Sequence, residues 1–347
     1  MAGSDPAFLR GTNTKMKKIL NQATAYVEEM LEGLCLAHPN YYVKTGTENR
    51  VIVRTSQKPK GRVAIVTGGG SGHLPVFTGY VGKGLADACA IGEVFSSPSV
   101  DQIADAIRAV SSGSGVLLLQ GNYSGDNMNF EMASEIVELD GIETKIVKVA
   151  DDVASASLEE RSKRRGVAGL LYAYKIAGAK AETTASLEEV ASIAAKAANA
   201  TRSIGVALSS CIVPAAGRPT FSIGEDEMEI GMGIHGERGV RRGKLMTADA
   251  IAEEMISLLL ADMPLHLGDR VSVLVNSLGA TPVEELFIVY RHVAHRLAAL
   301  AVEIVAPLVG RYATSMEMAG MSLTFCKLDD ELEALLKAPC DSPFLKV

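Results

Sequence analysis

The spacing of apolar positions changes along the chain and predicts its helices and strands. Between residues 16 and 37, apolar side chains return every three or four positions, which predicts an amphipathic helix that ends before Pro39. Short runs that are apolar throughout then alternate with stretches of helical periodicity. We predict strands at 51–53, 62–67, 115–119 and 144–149, with helices at 100–111 and 127–139. Uniformly apolar strands that alternate with helices indicate mainly parallel pairing, with helices on both faces.

The second half of the chain shows a similar alternation. Alanine-rich helices are predicted at 166–179 and 186–200, and we place a domain boundary in the polar stretch between them. Strands follow at 203–208, 270–275 and 302–305, with helices at 247–260 and 282–300. The sequence therefore predicts an α/β protein with mainly parallel or mixed sheets covered by helices. Its two α/β domains span residues 16–184 and 185–347.

Composition narrows the classes of function. The chain has 347 residues, and its 34 Lys and Arg against 41 Asp and Glu give a net charge of −7, which argues against a nucleic-acid partner. Its 5 cysteines are dispersed without a CxxC pair, a pattern typical of reduced cytoplasmic thiols. No apolar stretch reaches the roughly 18 residues of a membrane span, so we expect a cytoplasmic protein without a membrane partner. Residues 1–15 lack a signal-peptide core, and we expect them to be a vector-derived leader before a natural start at Met16.

The first candidate for chemistry is the segment GGGSGH at 68–73, directly after a predicted apolar strand. Glycines let the backbone adopt positive φ and let a ligand approach closely, and ligands of α/β sheets bind at the carboxyl ends of strands. The segment is neither GxGxxG nor a Walker motif, which excludes those routes to nucleotide binding. Two interpretations stay open: a ligand-binding loop that includes His73, or a tight turn with an incidental histidine.

A second segment, NYSGDN at 122–127, also lies between a predicted buried strand and a helix. Its carboxylate, Asp126, has two possible roles. It can cap the helix that follows, or it can act as a general base if it faces the same sheet edge as His73.

A third segment, GMGIHGE at 231–237, places His235 in a loop flanked by glycines. Such a histidine can be a nucleophile or a ligand, or it can have no special role. The acidic run before it, with Asp226, Glu227 and Glu229, is expected to be a solvated turn. The histidines at 292 and 295 are expected on a helix surface, so the sequence predicts no metal site.

Other polar segments are weaker candidates. The serines of SSPS at 96–99 can form a binding loop or cap a helix, and the polar turn at 276–282 can reach a partner or close the fold. The basic residues at 161, 163, 164 and 165 are expected to form a solvated face and not a phosphate site.

In combination, these segments resemble the dihydroxyacetone kinase family, and within it the substrate-binding DhaK-type subunit. The matching stretches follow the family's order and cover essentially the whole chain after Met16. They are GGGSGH (68–73), GYVGKG (79–84), GEVFSSPS (92–99), NYSGDNMNFEMA (122–133), RRGVAG (164–169), YKIAGAKAE (174–182), VPAAGRPTF (213–221), EDEMEIGMGIHGERG (225–239) and NSLGATPVEEL (276–286). NYSGD and MGIHGE together are highly specific for this family.

The resemblance implies a role for each site residue. It implies that His235 binds the ketone covalently as a hemiaminal, that Asp126 is the general base, and that His73 orients the substrate hydroxyl. Substrate-binding residues are expected from the same loops, and these are Gly70, Ser71, Gly72, Ser97 and Gly121. Neutral imidazole is a competent nucleophile near pH 7, and a covalent tether selects ketones over polyols, which have no carbonyl.

The resemblance also implies partners. We expect no cofactor on this chain, because it has no phosphate-binding signature; Mg²⁺ and ADP or ATP are expected on a separate DhaL-type subunit. A homodimer is expected, with dihydroxyacetone or a four-carbon ketose as substrate.

Two positions depart from the family pattern. Leu74 follows GGGSGH where the family usually has an acidic residue, and Gly121 precedes NYSGD where it often has a lysine. The smaller Gly121 suggests space for a four-carbon ketose such as erythrulose. A ketone-binding co-activator that transfers no phosphoryl group is a further alternative, but the retained His73, Asp126 and His235 favour a kinase subunit.

Overall fold

The computed structural model describes residues 17–56 and 58–347, so the predicted leader and start at Met16 lie outside the described residues. The first of two large sheets is built from six strands. They are β1 (Tyr42–Thr45), β2 (Val51–Arg54), β3 (Ala64–Ser71), β4 (Ala88–Val94), β5 (Val116–Gly121) and β6 (Thr144–Val149). Their order is β1-β2-β4-β3-β5-β6, in which β4, β3, β5 and β6 are parallel neighbours and β1 and β2 form an antiparallel edge.

Helices cover both faces of this sheet, as the apolar strands predict. They are α1 (Tyr26–Ala37), α2 (Val100–Val110), α3 (Ser124–Glu138), α4 (Leu170–Ala181) and α5 (Leu187–Asn199). The core under α2 and α3 lies on one face, and α1, α4 and α5 bury the other. Helix α5 packs against α4 and β6, so it shares the core of the first sheet. The domain boundary at residue 184 stays a prediction.

The second sheet has seven strands and is mixed. They are β7 (Thr201–Ala207), β8 (Glu227–Ile230), β9 (Arg241–Lys244), β10 (Arg270–Ser277), β11 (Glu303–Ile304), β12 (Leu308–Gly310) and β13 (Gly320–Leu328). The order is β11-β10-β13-β7-β8-β9, and β12 also pairs with β10. Strand β13, which the apolar pattern did not predict, inserts between β10 and β7 and runs antiparallel to both.

The remaining elements close the second half of the fold. Helices α6 (Ala248–Asp262) and α7 (Val283–Ala299) cover the second sheet; α8 (Asp330–Lys337) packs on α4; and β14 (Asp341–Ser342) pairs with β15 (Leu345–Lys346). The predicted α/β fold with helix-covered sheets is confirmed. No helix within residues 17–56 and 58–347 is long and apolar enough to cross a membrane.

Helix α4 joins the two sheets. It is buried at nearly every position, and its tyrosines make hydrogen bonds in both directions. Tyr174 bonds to Thr67 of β3 at 2.7 Å, and Tyr172 bonds to Ser272 of β10 at 3.0 Å. Because buried hydroxyl pairs are costly to break, these contacts fix one sheet against the other. The loops at the carboxyl end of β3 and β5 therefore face the loop after β8 in a defined geometry.

Candidate active site

The three glycine-rich segments meet at one cavity of about 180 Å³. GGGSGH ends strand β3, NYSGD joins β5 to α3, and GMGIHGE follows β8. Strands β3 and β5 are parallel neighbours, so their carboxyl ends lie at the same edge of the sheet. Asp126 and His235 both line the cavity, and the ring centroid of His73 lies 4.9 Å from that of His235. The structure thus brings together the three residues that the sequence singled out.

Aromatic rings surround the His235 imidazole. Tyr123 and Phe95 lie 5.0 Å and 5.1 Å from it, and Phe95 also stacks on His73 at 4.8 Å. Phe95 has a φ of 59°, in the left-handed region, which turns its ring into the site. Gly70 lies against the Phe95 backbone, and a Cβ at Gly70 would come within 2.8 Å of it. The rings form a rigid, mostly apolar collar, and the His235 side chain keeps 23% of its surface exposed.

Glu237 fixes the tautomer of His235. Its Oε1 lies 2.8 Å from His235 Nδ1, and its Oε2 accepts the backbone N–H of His235. Burial opposes ionisation of Glu237, but the hydrogen bonds from His235 and the positive charges nearby lower its pKa to about 2. An ionised carboxylate can only accept, so Nδ1 carries the proton, and in the neutral ring the lone pair is therefore on Nε2. In this tautomer the neutral ring can act as a nucleophile or as a hydrogen-bond acceptor through Nε2.

Arg165 supports the pair formed by Glu237 and His235. Its Nε donates to Asp152 at 2.9 Å and its guanidinium donates to the carbonyl of Gly231 at 3.1 Å, while Nη1 lies 3.7 Å from Glu237. A side chain at Gly233 would collide with both Glu237 and Arg165, which explains the glycine at that point of the motif. The network anchors the His235 loop to the first half of the chain.

These contacts correct two interpretations made from the sequence. Arg164 and Arg165 were expected on a solvated face, but Arg164 is 2% exposed and forms an ion pair with Asp262, and Arg165 belongs to the site. Glu229 was expected in a solvated turn, but it is 2% exposed and pairs with Arg242. Buried charges are tolerated when they are paired, and the partner of Arg164 lies 98 residues away in the sequence.

His73 is a neutral acceptor. It is buried, and its Nδ1 lies 2.7 Å from the carbonyl oxygen of Thr314, so Nδ1 donates and Nε2 has the free lone pair. Burial, helped by the neighbouring His235, lowers its pKa to about 3. Nε2 has no hydrogen-bond partner among the described residues. A buried acceptor without a partner is poised to receive a hydroxyl from a ligand.

Asp126 is the second acceptor without a partner. It lies in the first turn of α3, is 8% exposed, and its Oδ1 has no hydrogen-bond partner among the described residues. Burial raises its pKa to about 6, although the nearby Ser97 hydroxyl and the His235 ring act in the opposite direction. The carboxyl is thus mostly ionised at neutral pH but more basic than an exposed one. These properties suit a general base.

The other predicted substrate-binding residues do not all line the same cavity. Gly70 and Ser97 line the same cavity as His235. Ser71 and Gly72 instead line a different cavity of about 350 Å³. Gly121 is buried beside Tyr123, where a Cβ would lie 3.3 Å from the ring. The structure therefore brings two of these five residues into the cavity, and all their roles stay predictions.

Four residues of the site were not assigned roles from the sequence: Phe95, Tyr123, Arg165 and Glu237. Glu237 carried a usable signal, because a carboxylate two residues from a loop histidine is well placed to orient it. Phe95 carried none, since its position depends on an unusual backbone conformation. Within residues 17–56 and 58–347, no three His, Cys, Asp or Glu side chains come together in a way that could hold a metal ion.

The fold and the site define a two-sheet α/β protein in which a carboxylate-paired histidine, His235, lies beside the unpartnered acceptors of His73 and Asp126. The Dak1 domain family matches residues 32–344. The chain therefore belongs to the dihydroxyacetone kinase family, as a DhaK-type member.

Named relatives agree with this membership. The chain is 46% identical over 332 residues to the dihydroxyacetone-binding subunit DhaK of PTS-dependent dihydroxyacetone kinase 2 from Listeria innocua, covering 96% of this chain and 100% of the relative. It is 44% identical to L-erythrulose kinase from Pectobacterium atrosepticum, covering 94% of this chain and 56% of that relative. A solved structure, the dihydroxyacetone kinase operon co-activator Dha-DhaQ, matches with a TM-score of 0.85 and 32% identity, covering 90% of this chain and 96% of its own.

Proposed function

We propose that this chain is the substrate-binding subunit of a dihydroxyacetone kinase, a phosphotransferase with an alcohol acceptor. It captures the ketone as a hemiaminal on His235 and presents a hydroxyl for phosphorylation. One observation carries the proposal: Glu237 occupies Nδ1 of His235, which leaves Nε2 as a nucleophile beside the acceptors of Asp126 and His73. The relative from Listeria innocua, named as a dihydroxyacetone-binding subunit, supports the substrate class.

Capture begins with addition of the imidazole to the ketone. The lone pair of His235 Nε2 forms a bond to C2 while the carbonyl π bond breaks onto oxygen. The oxygen takes up a proton and the ring releases its Nδ1 proton, so a neutral hemiaminal results. The Glu237 carboxylate stabilises the positive ring during addition and accepts that proton or passes it to solvent. The rings of Phe95 and Tyr123 pack around the imidazole and limit the access of water to the bond that forms.

The two unpartnered acceptors, His73 and Asp126, activate the terminal hydroxyl of the ketose. In the captured ketose, His73 Nε2 accepts a hydrogen bond from the terminal hydroxyl and orients it. Asp126 then removes the hydroxyl proton as the oxygen bonds to phosphorus. A neutral His73 is suited to this task, because a charged ring would donate instead of accept. Gly70 and Ser97 line the cavity and would complete the contacts to the ketose.

The phosphoryl donor would come from a second protein. Phosphoryl transfer requires positioned phosphates and usually Mg²⁺. The relative's name describes one subunit of a kinase that binds dihydroxyacetone. We therefore place Mg²⁺ and ADP or ATP on a DhaL-type subunit that docks at the cavity, and we propose a cytoplasmic homodimer of this chain.

Labelled substrate tests the capture step. Carbon-13 NMR with dihydroxyacetone labelled at C2 should show a protein-bound tetrahedral carbon in place of the ketone signal. The signal should vanish in His235→Asn and persist in the control His292→Asn, whose ring pairs with Glu253 outside the site. A bound ketone signal in the unaltered protein, or a tetrahedral signal that survives His235→Asn, would contradict the proposal.

A four-carbon ketose is the second candidate substrate. Gly121 stands where the family often has a lysine, and a relative 44% identical to this chain is named an L-erythrulose kinase. The candidate functions are separated by reconstitution of the chain with a DhaL-type subunit. Mg-ATP is the phosphoryl donor in one arm, and a phosphotransferase system that recharges the subunit is the donor in the other. Faster phosphorylation of erythrulose than of dihydroxyacetone would favour the four-carbon ketose. Phosphorylation of neither would favour a co-activator, the role named for the structural relative Dha-DhaQ.

A further inference from the structure

Helix α3 carries a row of exposed apolar side chains on its outer face. Met128, Met132, Ile136 and Leu139 expose 59%, 47%, 37% and 89% of their surface. They follow one another at intervals of three or four residues and so lie on one side of the helix and its end. We name this row the α3 stripe. Exposed apolar rows mark interaction surfaces, and methionine adapts readily to a partner's shape.

The α3 stripe begins at the reactive cavity. Asp126, in the first turn of α3, lines the cavity, and Met128 follows two residues later. Asn129 donates to the carbonyl of Pro98 at 2.7 Å and thereby holds the loop that carries Ser97, another lining residue. Gly125 also lines the cavity and is exposed, so the opening lies at the start of α3. The stripe runs from this opening along the helix.

The proposed function determines what must cover this region. A phosphoryl donor has to reach the hydroxyl held beside Asp126, so the protein that carries it must contact the opening. A standard interface buries about 800 Å² on each partner, which is a disc of about 16 Å radius. The helix rises about 16 Å from Met128 to Leu139 at 1.5 Å per residue. Counted from Asp126 at the opening, Met128, Met132 and Ile136 lie within about 15 Å along the helix, inside the footprint of a protein centred there, and Leu139 lies just beyond it at about 20 Å.

The charged residues beside the α3 stripe indicate which charges the partner's facing surface should carry. Glu131, Glu135 and Glu138 are exposed along one flank of the helix. Glu131 pairs with Lys148, and no described cation pairs with Glu135 or Glu138. We propose that the α3 stripe is the docking surface for the nucleotide-bearing subunit, whose facing surface has an apolar centre and a Lys- or Arg-rich rim. This inference rests on the proposed function and adds the surface that the second protein uses.

Introduction of a charge into the α3 stripe tests the inference. Met132→Glu places a charge in the centre of the stripe, and Phe287→Glu is the control, because Phe287 is a similarly exposed apolar residue on α7 at 55%. Ketose phosphate formation is measured while the DhaL-type subunit is titrated with Mg-ATP and substrate in excess. We expect Met132→Glu to raise the partner concentration for half-maximal rate at least about tenfold. The rate at saturating partner should stay within about twofold, and capture on His235 should be unchanged.

The possible outcomes are distinct. A partner titration that is the same for Met132→Glu and the unaltered chain overturns the inference. Conversion of a dimer to a monomer by Met132→Glu, with a normal partner titration, also overturns it and assigns the stripe to a second copy of this chain. If the unaltered chain forms no ketose phosphate with any donor while it still captures the ketone, the proposed kinase function fails first.

Discussion

The two halves of the site prepare their groups in opposite ways. His73 and Asp126 belong to the loops at the ends of β3 and β5, and burial, which outweighs the polar interactions they make, sets their protonation. His235 belongs to the loop after β8, and a chain of ionised partners, Glu237, Arg165 and Asp152, sets its orientation. In the first half of the site, His73 Nε2 and Asp126 Oδ1 are free to accept because they have no partner. In the second half, Nε2 of His235 is free because Glu237 pairs with Nδ1.

This difference has a physical consequence. Unpartnered buried groups cost stability and become satisfied only when a ligand arrives, so the first half is arranged to respond to the substrate hydroxyl. The ionic chain of the second half is satisfied without a ligand. Substitutions in the first half should therefore affect transfer and stability in opposite directions, whereas substitutions in the second half should mainly affect capture.

The largest effect is expected for Asp126→Asn. An amide cannot take the hydroxyl proton, so turnover with a DhaL-type subunit should fall by about 10²–10⁴-fold. Capture of the ketone by His235, followed by NMR with labelled substrate, should persist. Loss of capture with retained turnover would reverse the roles assigned to the two halves.

The same variant should be more stable than the unaltered chain at neutral pH. The pKa of Asp126 is raised from 3.8 to about 6, so its carboxyl favours the folded state below pH 4, and that contribution is lost as the pH rises through 6. The advantage of Asp126→Asn in free energy of unfolding should thus be near zero at pH 4 and reach ~2–3 kcal/mol at pH 7. Denaturant titrations at both pH values measure it. An advantage that is independent of pH would mean that burial does not perturb this carboxyl.

Glu237→Gln tests the second half. The amide keeps one acceptor oxygen, but it has no negative charge to stabilise the positive ring and can present its NH2 to Nδ1, which no longer fixes the tautomer. Ketone capture should therefore weaken by about 10–100-fold. The matched control is Glu253→Gln, because Glu253 accepts from His292 at 3.0 Å between α6 and α7. The control should leave capture unchanged. Equal capture by both variants would show that pairing at Nδ1 does not activate His235.

The smallest effect on the site is expected for Tyr123→Phe. The hydroxyl of Tyr123 is buried without a partner among the described residues, so its removal should leave the free energy of unfolding unchanged or slightly higher. Tyr172→Phe removes a hydroxyl that bonds to Ser272 at 3.0 Å and should cost ~1 kcal/mol. Thermal or denaturant unfolding compares the two. A larger loss for Tyr123→Phe would reveal a hydrogen bond that the hydroxyl makes in solution.

The sequence predicted the residues of the site more completely than the strands of the second sheet. His73 and Asp126 follow apolar strands directly, so local pattern and the rule for strand ends placed them together. Strand β13 was missed, and with it the antiparallel centre of the second sheet, because its neighbours β7 and β10 are distant in sequence. Arg164 was misplaced for the same reason, since its partner Asp262 is 98 residues away. Interactions that join distant segments leave no periodic trace in either segment.

The proposed chemistry depends on one covalent bond, between His235 and the ketone, and a crystal structure of the protein soaked with dihydroxyacetone observes that bond directly. We predict continuous density from Nε2 of His235 to C2 of the ketose, with a terminal hydroxyl within hydrogen-bond distance of Asp126 and His73. An empty cavity at saturating ketose, or a ketose bound without a bond to His235, would contradict the account.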